Sequence, residues 1–549
     1  MLTALPFLRR GPPADPVSGW SVATFLLCLV LLGPFVALLY AMTGDSGGLW
    51  LHLMETVFPR YVANTVLLMI GVGLLSLAFG LTAAWLVTRY EFWGSRLLDW
   101  TLLLPATVPA YIIAYTYTDL LEYAGPVQSF LRDLFGWTSA RDYWFPEIRS
   151  LGGAVLVMGS VLYPYVYLMA RTAFRLTPAS YYEVAALHDR GIAFSVAIPL
   201  ARPAIVAGLA LVLMEVVSDF GAVEYFAVET LTLGIFNVWL GMNNLTAAAQ
   251  IAGVAFVFIL GLLFIEQRAR GQQRFFDPGR PSGGLRPVRL VGWKGAGCAA
   301  LCAVPLVVGF AVPVGVLASF VLAGLSSTDY GALASAALNS LAVAFAAAAI
   351  VMAIALATVL TVSYKRHPAL GALTAVSAMG YAFPGTVLAI GVVVFAGAVD
   401  SGVEAFVEGV LGAGFDGLLI GGAALLVAGY VVRFQAIGYG ATVAGVKRLS
   451  PNVMSASYVL GRGFTRSMAT LAPPLLRKSL LAGGLLVFVD VMKELPMTLL
   501  LRPFDFETLA TYVYQFATDE LLEQSALAAL AIVAAGLGPV IWMNASQRR

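Results

Sequence analysis

Twelve predominantly apolar stretches, most of them near the length of a bilayer crossing, restrict what this chain can fold into more than any single motif does. In the first half they run over 20–41, 65–87, 100–121, 152–170, 199–217 and 247–265. In the second half they run over 297–321, 340–363, 369–396, 418–432, 479–491 and 525–542. A helix needs about 20 apolar residues to cross the hydrocarbon layer. In lipid, only helices and closed barrels satisfy their own backbone polar groups. Composition agrees: 60% of the 549 residues are hydrophobic and 11% are charged, where soluble domains run at about 25% charged. Residues 1–19 carry Arg9 and Arg10 ahead of an apolar run too long for a signal-peptide core. An uncleaved first span with a cytoplasmic N-terminus is expected.

Charge placement supports an even number of spans. With the N-terminus inside, only Arg60, Arg132, Arg141, Arg149, Lys493 and Arg502 of the 32 basic residues fall outside. The stretches 218–244 and 396–417 hold acidic residues but no Lys or Arg. This asymmetry is the positive-inside pattern, and it predicts that both termini are cytoplasmic. Cys28, Cys298 and Cys302 lie in apolar stretches and read as small buried hydrophobes. His52, His188 and His367 are scattered, so no high-affinity metal motif is expected.

The halves repeat each other in register. Asn64 matches Asn339, Pro109 matches Pro384, Pro199 matches Pro474, Arg202 matches Arg477 and Gly208 matches Gly483, each pair 275 positions apart. Glu215/Asp490 and Asp219/Glu494 keep the same offset. Such a register implies duplication, and parallel repeats about an axis along the membrane normal. The expected organisation is a cytoplasmic segment 1–19, a first half 20–269, a basic linker 270–296 and a second half 297–549. The expected fold is all-α and membrane-integral, with twelve transmembrane helices in two six-helix halves related by a pseudo-two-fold.

Between the fourth and fifth spans of each half lies a polar segment, 182–200 in the first and 455–475 in the second. The first contains Glu183, Ala185, Ala186, Gly191 and Pro199; the second contains Ser455, Ala456, Gly461 and Pro474. Each reads as a short helix, a glycine turn, and a second short helix ended by proline before the chain re-enters the membrane. Such an element is suited to gripping a cytosolic partner. It resembles the EAA loop of ABC importer permeases: Glu-Ala-Ala, three residues, Gly, nine residues, Ile-x-Leu-Pro. The second copy keeps that spacing without the glutamate. The first keeps Glu183 and is three residues short.

Two fused halves are similar to the iron(III)-type importer permeases, of the type I, MetI-like fold. The stretch 488–511, with Asp-Val-Met-Lys-Glu-Leu-Pro-Met-Thr, looks like that subfamily's signature, and 218–226 looks like its counterpart. The resemblance implies a non-enzymatic transporter subunit in the bacterial inner membrane that moves ferric iron inward. It also implies a periplasmic iron-binding protein and two copies of a cytosolic ATPase docked under the EAA-like loops. This chain has no Gly-x-x-x-x-Gly-Lys-Ser/Thr phosphate loop, so ATP and Mg belong to that partner. No cofactor bound by this chain and no nucleic-acid partner is expected. Thiamine, polyamine or phosphonate permeases are alternatives within the family, and a gradient-driven secondary transporter is an alternative outside it.

Acidic residues near the ends of the fifth and eleventh spans are expensive in a bilayer and so face a cavity or a partner. Glu215 and Asp219, like Asp490 and Glu494, are spaced to share one helix face. Together with Glu224 and Lys493 they are candidates to line the translocation path or to contact the binding protein. Helix-tying through Lys493 is the third possibility.

Overall fold

The computed structural model describes residues 18–186, 192–271, 287–365, 368–412, 417–450 and 452–547. The first copy contributes α1 (Gly19–Ala41), α2 (Phe58–Arg89), α3 (Ala110–Leu121), α4 (Leu151–Leu176), α5 (Ala179–Ala186), α6 (Ile198–Ser218), α7 (Gly221–Tyr225) and α8 (Leu245–Gly271). The second begins with α9 (Trp293–Gly324) and α10 (Tyr330–Lys365), then α11 (Gly385–Leu411) and α12 (Ala423–Val446). It ends with α13 (Asn452–Val459), α14 (Phe464–Thr470), α15 (Ala472–Met492), α16 (Pro496–Leu501) and α17 (Leu522–Gln547).

Among the described residues, ten helices are long and apolar enough to cross a membrane, and one bent pair raises the number to eleven. By that measure the expected twelve is not reached. The expected span 479–491 is the C-terminal part of α15, whose early turns carry Arg477 and Lys478. The expected span 100–121 is not one straight helix. Ser95–Thr107 and Ala110–Phe135 meet at 91°. Proline is the cause, since it lacks an amide hydrogen and forces the preceding residue out of helical geometry. Val108 is extended, and Pro109 (φ −59°, ψ 141°) caps α3. The second copy breaks 369–396 in the same way, with Phe383 extended and Pro384 (φ −54°, ψ 143°) capping α11.

The chain divides into two compact units, and neither is one half of the sequence. One comprises residues 51–237, 254–329 and 512–549. Its centre is α2, α4 and α6, with α9 laid against α2, α3 and α4, and α17 packed on α9. Tyr163, Tyr167 and Phe174 are fully buried there, and Trp85 meets Phe174 edge-on at 5.6 Å. Residues Tyr90–Glu91, at the end of α2, pair in parallel with Val288–Arg289 just ahead of α9. The other unit comprises 1–50, 238–253 and 330–511. Its centre is α10, α12 and α15, and α1 lies along α10 and α11. Each copy's first span therefore packs into the unit built on the other copy's central helices.

Candidate functional site

The segments expected to couple to a partner differ between the copies. In the second, α13 and α14 are separate short helices joined through Gly461, whose φ of +76° is a left-handed conformation open to glycine at low cost. The Ser457 and Ser467 hydroxyls, 2.7 Å apart and buried, tie the two helices together. Met454, Phe464 and Met468 anchor them on Leu360, Ala472 and Leu476. Trp20 donates its indole N–H to the Thr465 hydroxyl at 2.9 Å and packs edge-on against Phe464. Ser455, Ala456 and Gly461 are exposed, and Val459 and Leu460 project 88% and 79% exposed. An exposed apolar tip on a rigid helical hairpin is the form of a docking element. Pro474 does not end the second short helix; with Pro473 it opens α15, where a missing N–H costs nothing.

In the first copy, Glu183 is exposed on α5, and Ala185 and Ala186 close that helix. Tyr182 is buried and donates to the Phe174 carbonyl at 3.2 Å, and burial raises its phenol above the ordinary range. Gly191 lies outside the described residues. The expected second short helix is not separate here. Residues Ala193–Ser218 form one 26-residue helix, entered through a wide turn at Ala193–Ala197 that leads into Pro199 without a break.

The carboxylate pairs do not share a helix face, contrary to their spacing. Helix α6 stops at Ser218, and Asp219 is extended (φ −69°, ψ 137°), while α15 stops at Met492, before Lys493 and Glu494. What the second acid of each pair does instead is cap the following short helix. Asp219 Oδ1 accepts the Ala222 and Val223 N–H groups at 3.0 and 3.3 Å. Glu494 Oε2 accepts those of Met497 and Thr498 at 3.1 and 3.3 Å. Free amides at a helix start favour a carboxylate. Asp490 pairs with Lys493 at 2.8 Å, Glu215 stays in the last turn of α6, and the Tyr514 hydroxyl hydrogen-bonds Glu224.

Arg433 was not singled out by sequence, because it stands at the edge of the apolar stretch 418–432 and counts there as a cytoplasmic charge. The structure buries it within α12, where its Nη1 donates to Glu494 Oε1 at 2.7 Å. Both side chains are at most 10% exposed. Gly385 makes room for them: a Cβ there would stand 2.1 Å from Arg433 Nη1 and 2.6 Å from Glu494 Oε1. Thr498, held by Glu494, meets the Tyr430 hydroxyl at 2.6 Å.

A matched clamp holds the chain after each break. Asn64 donates to the Glu229 carbonyl at 3.0 Å, and Thr65 accepts the Leu231 N–H at 3.1 Å. Asn339 donates to the Glu507 carbonyl at 3.0 Å, and Ser340 accepts the Leu509 N–H at 2.7 Å. Ion pairs reinforce both, Arg60 with Glu229 and Arg502 with Glu507. Among the described residues, no group of three or more His, Cys, Asp and Glu side chains is placed to hold a metal.

Duplicated broken helices, capped and clamped alike, together with an exposed helical hairpin, define an all-α membrane permease. Residues 76–271 match the family described as binding-protein-dependent transport system inner membrane component. The sulfate transport system permease protein CysT of Escherichia coli is 30% identical over 260 residues, covering 44% of this chain and 89% of that protein. The molybdenum transport system permease protein ModB of the same organism is 30% identical over 156 residues, 28% of this chain and 65% of that protein. The Fe(3+)-transport system permease protein FbpB 2 of Haemophilus influenzae is 26% identical over 514 residues, 90% of this chain and 92% of that protein. The chain belongs to the binding-protein-dependent transport system inner membrane component family. It is a multi-pass inner-membrane transport subunit of ABC type, not an enzyme, and membership implies an ATPase and a periplasmic binding protein as partners.

Proposed function

We propose that the chain carries ferric iron from periplasm to cytoplasm by ATP-driven alternating access, both of its termini lying in the cytoplasm. One observation carries the cargo assignment. The relative named for Fe(3+) transport aligns across both copies, whereas the sulfate and molybdenum relatives each cover less than half of this chain. A trivalent cation also suits the carboxylates near the helix breaks, since hard cations prefer oxygen ligands. In this reading two ATPase subunits, holding ATP and Mg, grip the segments 182–200 and 455–475. Glu183, Ala185, Ala186, Gly191 and Pro199 serve one contact, and Ser455, Ala456, Gly461 and Pro474 serve the other. Glu215, Glu224, Asp490 and Lys493 remain path or binding-protein contacts, and Asp219 and Glu494 hold the breaks that shape the path.

An oxyanion is the second reading, favoured by the sulfate and molybdenum relatives at 30% identity. Proteoliposomes containing the permease, its ATPase and its binding protein decide between them. ATP-dependent accumulation of radio-iron, with none of sulfate or molybdate, is expected; the reverse selectivity refutes the ferric assignment.

A further inference from the structure

Duplication supplies an internal comparison: a polar side chain that only completes the packing has no reason to be present in one copy and aliphatic in the other. One row of side chains breaks that symmetry at all but its first position. Tyr111, Tyr115 and Asp119 recur at four-residue intervals along one face of α3, and Glu122 caps its end. Tyr225 of α7 packs edge-on against Tyr115, ring centres 6.4 Å apart. The corresponding positions of the second copy, 275 residues on, are Thr386, Ile390, Val394, Gly397 and Leu500. Pro109 and Pro384, with nearly identical backbone angles, fix that register. Thr386 keeps a hydroxyl opposite Tyr111, but the fold closes with aliphatic side chains or glycine opposite Tyr115, Asp119, Glu122 and Tyr225, so the oxygen atoms of those four answer another need.

Their surroundings say which. Tyr115 is 1% exposed and its hydroxyl has no hydrogen-bond partner, while it lies within electrostatic reach of Tyr111 and Tyr225. Tyr225 in turn is within reach of Asp119, Glu122 and Glu520, and Asp119 of Glu122 and Glu523. Against these four carboxylates stands Arg149, paired with Glu122 and, at 3.6 Å, with Glu520, its guanidinium 5.1 Å above the Tyr225 ring. Arg149 adjoins the start of α4, at the end remote from α5, and there Glu122 and Arg149 line an open cleft of about 680 Å³. The row thus runs from a solvent-open, negatively charged mouth to a buried phenol lacking a partner.

We infer that Asp119, Glu122, Tyr115 and Tyr225 form a transient capture site for a hard, highly charged metal cation, present in the first copy alone. The inference rests on the ferric reading and locates the cargo within it. Carboxylate and phenol oxygens suit such an ion, and tyrosine is an established ligand of ferric iron. Each phenol that coordinates loses its proton, which passes by way of Asp119 and Glu122 to the water of the cleft that Glu122 lines. Arg149 competes with the ion for Glu122, which keeps the hold weak, as a path that must release its cargo requires.

The test uses the full complex with its ATPase in lipid nanodiscs, titrated with iron(III) nitrilotriacetate, while radio-iron uptake is measured in parallel. A visible phenolate-to-iron charge-transfer absorption is expected. It should vanish in the Tyr115→Phe/Tyr225→Phe double variant, and Asp119→Asn should weaken binding by about tenfold or more. Tyr225→Phe alone, at a half-buried position, should remove part of that intensity, and this serves as the readout should the double variant fail to assemble. Iron uptake by the wild type without any such absorption, or an absorption that survives in the variants, overturns the site while leaving the ferric cargo standing. Uptake of an oxyanion in place of iron overturns both.

Discussion

Asp219 and Glu494, 275 positions apart, cap equivalent short helices, each carboxylate accepting the third and fourth backbone N–H groups that follow it. Duplication has kept this arrangement although one side chain is longer by a methylene. A fifth or eleventh span that simply continued would need no cap. The carboxylate is placed where the helix stops, and it supplies the new start with acceptors that lipid cannot provide.

Glu494 carries a second duty, and its replacement should be the more damaging. Glu494→Gln leaves Arg433 buried without a counter-charge, and stability should fall by about 3–5 kcal/mol. Asp219→Asn retains an acceptor for both amides and should cost less than about 1 kcal/mol. Thermal unfolding in detergent separates the two. Pairing Arg433→Met with Glu494→Gln should recover much of the loss, because no charge is then stranded and the Met497 and Thr498 amides keep an acceptor. Equal destabilisation by the two single carboxylate variants would contradict the asymmetry.

The clamps predict symmetry where the carboxylates predict its absence. Asn64→Ala and Asn339→Ala each remove one side-chain bond to a carbonyl at 3.0 Å. Each should cost about 0.5–1.5 kcal/mol. The two melting shifts should agree closely, and a shift confined to one copy would show that only one clamp bears load.

Gly461 lies in a left-handed turn between α13 and α14. Placing a side chain there costs roughly 1–2 kcal/mol, concentrated in the hairpin. Gly461→Ala should therefore leave the membrane-embedded helices intact and reduce transport per ATP hydrolysed. The paired measurement of uptake and hydrolysis in proteoliposomes checks this. Uptake that falls only in proportion to protein stability would argue against a coupling role.

Outside the membrane, Asp142 organises the turn ahead of α4. The Ser139 and Thr138 backbone N–H groups, both at 2.8 Å, hold its carboxyl below the ordinary range. A lowered folded-state pKa contributes order that is present above the unfolded value and lost as pH falls through the folded one. Amide protection at Thr138 and Ser139 should persist at neutral pH, survive through the ordinary carboxylate value of about 4, and disappear only at pH below it. Asp142→Ala should abolish it at neutral pH; protection that ignores both changes would exclude this account.

Much of this was legible in the chain. The 275-residue register brought Pro109 to Pro384 and Asp219 to Glu494, and the structure gives both pairs matched geometry. Spacing alone misled where a helix stopped: a four-residue interval means a shared face only if the helix continues, and α6 and α15 do not. Arg433 escaped because its partner stands 61 residues away, and a pairing at that distance leaves no local signature. The tyrosine row could have been found by comparing the copies position by position for difference as well as likeness. The packing of α1 and α9 had no such signal, since an evenly apolar helix does not say which neighbour it prefers.

That packing bears on how the protein is made. The unit centred on α2, α4 and α6 needs α9 and α17, the latter about 300 residues beyond α6, so it stays incomplete until α17 has been made. Early helices must wait in the bilayer with their polar breaks uncovered. Joining the copies in one polypeptide guarantees that the missing pieces arrive from the same ribosome, in equal number and in order.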